Sequence, residues 1–175
     1  MATNKVPEVI NDVRIYLNGS DTAVAATKIE LPEIKTLTAD VTGIGLAGKV
    51  EAPIQGHFDS MECTISWNVP TKDNSQLFGG EAISLEAYAD VQAFDGGESK
   101  YIHDQFRVAM RGRIKSHKVG SLEPGSTADA ETVIEVHYIK EEMAGKVLAE
   151  VDKYGYKCII NGNDIMAPIR ANLGL

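Results

Sequence analysis

Residues Met61-Glu62-Cys63-Thr64-Ile65-Ser66-Trp67-Asn68-Val69 alternate between apolar and polar at every step. Successive side chains of a β-strand point to opposite faces, and a helix cannot bury such a pattern. Met61, Cys63, Ile65, Trp67 and Val69 therefore share a core-facing side. Glu62, Thr64, Ser66 and Asn68 face water or a partner.

The same period of two recurs along the chain. Val13, Ile15 and Leu17 form a short strand. Asn18-Gly19 supplies a hairpin turn, because both residues tolerate positive φ. Ala25, Thr27, Ile29 and Leu31 share a face of the return strand, which Pro32 ends. Two strands longer than the usual five or six residues follow at 81–94 and 101–115. Asp95-Gly96-Gly97-Glu98 joins them. Ile83, Leu85, Ala87, Ala89, Val91 and Ala93 line one face of the first. Ile102, Phe106, Val108 and Met110 line one face of the second, with Asp104 as the exception. After a loop over 119–130 come a strand at 132–140, a Met143-Ala144-Gly145 turn and a return strand at 146–152. Cys158-Ile159-Ile160 is extended, and Asn161-Gly162 is a turn.

Helical signals are few. Thr71 to Gly79 reads as a short helix stopped by Gly79-Gly80. Ile165, Ile169 and Leu173 repeat at i, i+4 and i+8, which places a helical stripe within 163–173. Asn163 or Asp164 is its expected cap, and Pro168 is tolerated near its first turn. The fold class is mainly β, a β-sandwich or partial barrel with one or two short helices. The chain, 1–175, reads as one domain. Residues 1–11 read as a flexible arm, and 36–56 as an extended glycine-rich hairpin with a mobile tip at Gly43 to Gly48.

Charge and cysteine content narrow the function classes. The net charge of -8 argues against a general nucleic-acid binder, which would be basic. No apolar run approaches the ~20 residues of a membrane span, so no membrane anchor is expected. Met1 to Asn11 lacks an apolar core and does not read as a signal peptide. Cys63 and Cys158 read as free buried thiols, with a bond between copies as the sharper alternative.

Three constellations bear on chemistry. Gly43-x-Gly45-x-x-Gly48 fits the dinucleotide fingerprint in letters. That chemistry needs a helix opening at the last glycine, whereas Lys49-Val50-Glu51-Ala52-Pro53 follows here. A glycine hairpin is the preferred reading. Arg107, Arg111, Arg113 and Lys115 share a strand face and suggest phosphate contacts. If the two long strands pair, however, Glu86, Tyr88 and Asp90 lie on that face too, and pairing within or between copies competes. His57, His103, His117 and His137 show no metal-type spacing, and no nucleophile elbow occurs. No cofactor and no catalytic residue is expected.

Several of these segments together resemble the major tail tube proteins of contractile-tailed bacteriophages and R-type tailocins. They are the opening strand with its turn (Tyr16 to Gly19), Leu31-Pro32, and Gly43 to Gly48 with Ala52-Pro53. Met110-Arg111-Gly112-Arg113 matches a central strand. Gly145-Lys146, Glu150-Val151-Asp152, Asn161-Gly162 and Asn172-Leu173-Gly174-Leu175 complete the pattern. The resemblance implies a structural, non-enzymatic subunit. Homohexameric rings would stack into a hollow tube, with strands of each copy completing an inter-subunit β-barrel. Such a tube conducts DNA in a phage or perforates a target envelope in a tailocin. It implies self-contacts, a tail sheath protein outside, and baseplate or initiator and terminator proteins at the ends. DNA would pass without specific binding. The particle would be a virion tail or tailocin, assembled in the bacterial host cytoplasm. Subunit and ring contacts are expected at Gly43, Gly45, Leu46, Gly48, Arg107, Arg111 and Arg113. The lumen is expected at Asp40, Glu51, Glu86 and Asp90, with an acidic bias that repels phosphate. The alternatives are a type VI secretion tube-like protein and a monomeric β-sandwich ligand-binding module.

Overall fold

The computed structural model describes residues 4–19, 26–71 and 80–175. The helix expected over 71–79 lies, except for Thr71, outside the described residues, and so does Ala25. The described strands are β1 (Lys5–Leu17), β2 (Ala26–Glu30), β3 (Thr36–Val41), β4 (Val50–Phe58), β5 (Glu62–Trp67) and β6 (Ile83–Asp95). They continue with β7 (Lys100–Lys118), β8 (Ala130–Met143), β9 (Lys146–Asp152), β10 (Lys157–Ile160) and β11 (Asn163–Asp164). One helix, α1 (Ala167–Leu173), closes the described chain.

β8 organises the main sheet. One edge pairs with β7 along most of its length. The other edge is shared: its first half pairs with β5, and its second half with β9. The order β1-β6-β7-β8-β9-β10-β11 runs one way, and β5 carries β2 the other way. Every pairing is antiparallel. The sheet curls until the open edges of β1 and β2 face each other. A groove of about 580 Å³ lies between Ile10–Ile15 and Ala26–Ile29. The result is a partial barrel split at one seam. Among the described residues β3 and β4 pair only with each other, as a separate two-stranded sheet.

The core lies where the alternation placed it. Met61, Cys63, Ile65 and Trp67 are essentially fully buried, whereas Val69, past the end of β5, is about half exposed. Ile15, Leu17, Ile83, Leu85, Ala87, Val108, Met110, Ile134, Val136 and Ile139 pack with them. Gly56 has φ +79°, and a Cβ there would lie 2.1 Å from the Met166 sulfur. That close approach seats the base of the β3–β4 hairpin beneath the start of α1.

Several expectations change. Lys5 to Asn11 is not an arm but the first half of β1, paired with β6. Its alternation is hidden because register shifts between Pro7 and Val9, and between Ile10 and Asp12, break the period. Asn18 and Gly19 do adopt positive φ, but they do not make a hairpin of neighbours. β1 pairs with β6 and β2 with β5, so this turn leads from one margin of the sheet toward the other. The C-terminal helix begins at Ala167 rather than 163, because Asn163 and Asp164 pair with β10. Its N-cap is Met166, without a side-chain cap; Asp164 accepts instead from the Met166 backbone N–H at 3.0 Å. Ile165 and Ile169 pack on the core, while Leu173 is exposed.

Candidate functional site

Two surfaces stand apart from the fold's own needs. The first is the side of the long strands that faces away from the core. The β6–β7 register puts Tyr88 opposite Arg107 and Ser84 opposite Arg111, and the β7–β8 register puts Glu142 opposite Arg107. Arg107 bonds Glu86 at 3.0 Å and Glu142 at 2.9 Å, and its guanidinium carbon lies 5.5 Å from the Tyr88 ring centre. Its Nε is buried with no hydrogen-bond partner among the described residues. Tyr88 donates its hydroxyl to Glu86 at 2.7 Å and meets Tyr16 edge-on. The Tyr88 hydroxyl first, and then Arg107, hold the Glu86 carboxyl below its usual range. Lys140 bonds Glu142 at 2.7 Å and is the main reason its carboxyl also titrates low.

The lattice continues across the sheet. Arg111 lies over the Tyr138 ring at 5.0 Å, and Lys157 bonds Glu150 at 2.9 Å. Toward the β6–β7 turn, Asp90 accepts from Asn11 at 3.1 Å and bonds His103 at 2.8 Å. The Asn11 amide and then His103 lower its pKa. This face is thus a set of compensated charges rather than a basic patch. Arg113 makes no ion pair among the described residues, and Lys115 pairs with Glu62.

The second surface is the β3–β4 hairpin. Gly43, Gly45, Leu46 and Gly48 lie in the connection between its strands, where Gly45 takes φ +95°. Gly48 leads into β4, a strand, rather than into the helix a dinucleotide site requires. Asp40 sits opposite Glu51, and Lys49 bonds Asp40 at 2.9 Å. Leu37, Val41, Ile44, Leu46, Val50 and Ile54 are all exposed apolar residues of this hairpin or its tip.

The residues singled out from sequence therefore fall into two groups that cut across their expected roles. Glu86, Asp90, Arg107, Arg111 and Arg113 share one sheet, and Asp40, Glu51 and the glycines share the hairpin. Sequence reasoning missed the open edge of β1 and its exposed Val6, Val9, Ile10 and Val13. Four valine or isoleucine residues within eight positions were the available signal. It also missed Glu141, whose carboxyl is pushed up by burial alone. Among the described residues no group of three potential metal ligands occurs, and no helix is long and apolar enough to cross a membrane.

Comparison with known proteins adds three findings. A family model described as phage tail tube protein FII matches residues 7–174. The chain is 24% identical to the tail tube protein of Escherichia phage P2, over 97% of this chain and 99% of that protein. Its fold is similar to a chain in a cryo-EM structure of an extracellular contractile injection system, described as the PVC sheath/tube terminator in the extended state. The TM-score is 0.51 at 11% identity, covering 78% of this chain and 96% of that one.

Proposed function

The chain belongs to the phage tail tube protein FII family, a structural tail tube role, and we propose that its copies close into hexameric rings stacked as a hollow tube. The observation that carries the ring is the open margin of the main sheet. β1, β6, β7 and β8 are its longest strands, at 13, 13, 19 and 14 residues. Among the described residues β1 pairs with β6 on one side only, and β7 runs on to Lys100 past its last β8 partner at Phe106. Open edges thus stand on opposite flanks of one ribbon, as a head-to-tail ring requires. Closing a barrel is the one arrangement that removes such edges completely.

In this reading the charged side of the four strands lines the lumen, with Glu86, Asp90, Arg107 and Arg111 in its wall. The paired charges leave Arg107 with little to offer a passing phosphate, so DNA would slide without specific binding. The β3–β4 hairpin, with Asp40, Gly43, Gly45, Leu46, Gly48 and Glu51, reaches an adjoining ring. A sheath surrounds the tube, and baseplate and terminator proteins meet its ends. The particle is a phage tail or a tailocin assembled in the host cytoplasm.

Six copies giving four strands each form a barrel about 45–50 Å across at the backbone, from strand spacing and usual tilt. Negative-stain microscopy and light scattering of the purified full chain test this. Rods or rings with a central channel of that order are expected. A monomer of 18.9 kDa under every assembly condition would overturn the reading.

A further inference from the structure

We propose that the apolar end of the long sheet is covered in the assembly by a neighbouring copy of this chain, and that this neighbour sets a basic side chain against Glu141. The inference rests on the tube reading and names a contact its rings would use.

The core-facing row of the long strands runs on past the core cluster, whose last members on β6 and β7 are Ala87 and Val108, into residues that are only half-buried. Past the buried Ala87 and Val108, the core-facing side continues through Ala89 and Val91 on β6, Phe106 on β7 and Met143 on β8. On β1 the row continues with Val13 and Ile10, which are 42% and 62% exposed. An apolar sheet face of this kind calls for a second layer. The tube reading supplies the occupant, a further copy of this chain set head-to-tail against the open edge of β1.

Glu141 gives that contact its chemistry. It lies within the apolar row, opposite the buried Val108 on one side and the buried Ala149 on the other. Ile139 and Met143 flank it on its own strand. It is half-buried, yet makes no hydrogen bond or ion pair among the described residues, and burial is what raises its pKa. Comparable carboxylates of this chain, Glu142, Glu150 and Asp164, are each bonded to a lysine or arginine. The charged residues of its own face nearest in register are Asp104 on β7 and Lys146 on β9, and neither bonds it. A purely apolar cover would bury an unpaired charge, which is strongly disfavoured. A base brought by the neighbour resolves this. The chain carries described bases without an ion pair that lie off the lumen-facing side, Lys35 just before β3 and Lys146 on β9 among them. A head-to-tail contact can present one of these to a different patch on the next copy.

The test is assembly of the full-length wild type, Glu141→Gln and Glu141→Lys, by sedimentation and negative-stain microscopy across pH. Gln keeps the shape and removes the charge, so the free E141Q subunit should melt at or above the wild-type temperature. Its critical concentration for assembly should rise roughly tenfold or more. E141K, facing a base with like charge, should not assemble. Pairing in the tube lowers a pKa that burial raises in the free subunit, so assembly releases a proton there. Wild-type assembly should therefore weaken as pH falls through the region just above the ordinary carboxylate range, and E141Q should lack that component. E141Q that assembles as well as the wild type, with the same pH dependence, overturns the inference while leaving the tube intact. Wild-type protein that never assembles overturns the tube reading and this inference with it.

Discussion

Thr132 ties three strands together through one hydroxyl. It is fully buried on β8, accepts from the Trp67 indole of β5 at 3.0 Å, and lies 2.9 Å from His117 of β7. Thr132→Val keeps the shape but orphans the indole N–H. The cost should be about 1–3 kcal/mol, read as a lower urea midpoint with unchanged slope; an unchanged midpoint would contradict it. Gly112 is equally specific. β8 has a bulge against it, and a Cβ there would lie 2.4 Å from the Glu135 carbonyl oxygen. That explains in physical terms why the run Met110-Arg111-Gly112-Arg113 carries a glycine. Cys63 is held as a thiol, its pKa pushed up to about 12 by burial. Cys158 is also buried and free, so neither thiol is presented to a neighbour.

Pairs of elements decide what the arginines do. Arg107 links β6 to β8 through Glu86 and Glu142, and about a third of its side chain is exposed. Arg107→Met should therefore cost only about 1 kcal/mol, the discounted value of a partly solvated pair. Both carboxyls titrate below the ordinary carboxylate range in the folded chain, Glu86 chiefly through the Tyr88 hydroxyl and Glu142 chiefly through Lys140, with Arg107 adding to each. Their stabilisation is present above the ordinary carboxylate range and is lost as pH falls through their folded values. The difference between R107M and wild type should shrink in the same window, and a difference constant down to pH 2 would refute the pairing. Which strands are neighbours was legible for β6 and β7, since one short turn joins two clear period-2 runs. It was not legible for β1. Its two register shifts disguise the period, and its partner β6 is far away in sequence.

At the scale of the whole molecule, the hairpin is the feature the monomer does not use. Ile44 at its tip is fully exposed, so Ile44→Asp should leave the melting temperature unchanged. If hairpins join rings, I44D should give single rings or short stacks by electron microscopy in place of long rods. Rods of wild-type length would remove the hairpin from the stacking contact. Strand content, the long β6–β7 pair, the buried face of β5 and the family were all determined by the amino-acid sequence. Each depends on local alternation, turn residues and a linear order of short patterns. Only the tertiary structure decided that β2 leaves β1 for β5, that Arg107 is already neutralised, and that Glu141 is stranded among apolar neighbours. Those outcomes depend on which distant strands meet and in what register, and a one-residue bulge is enough to change them.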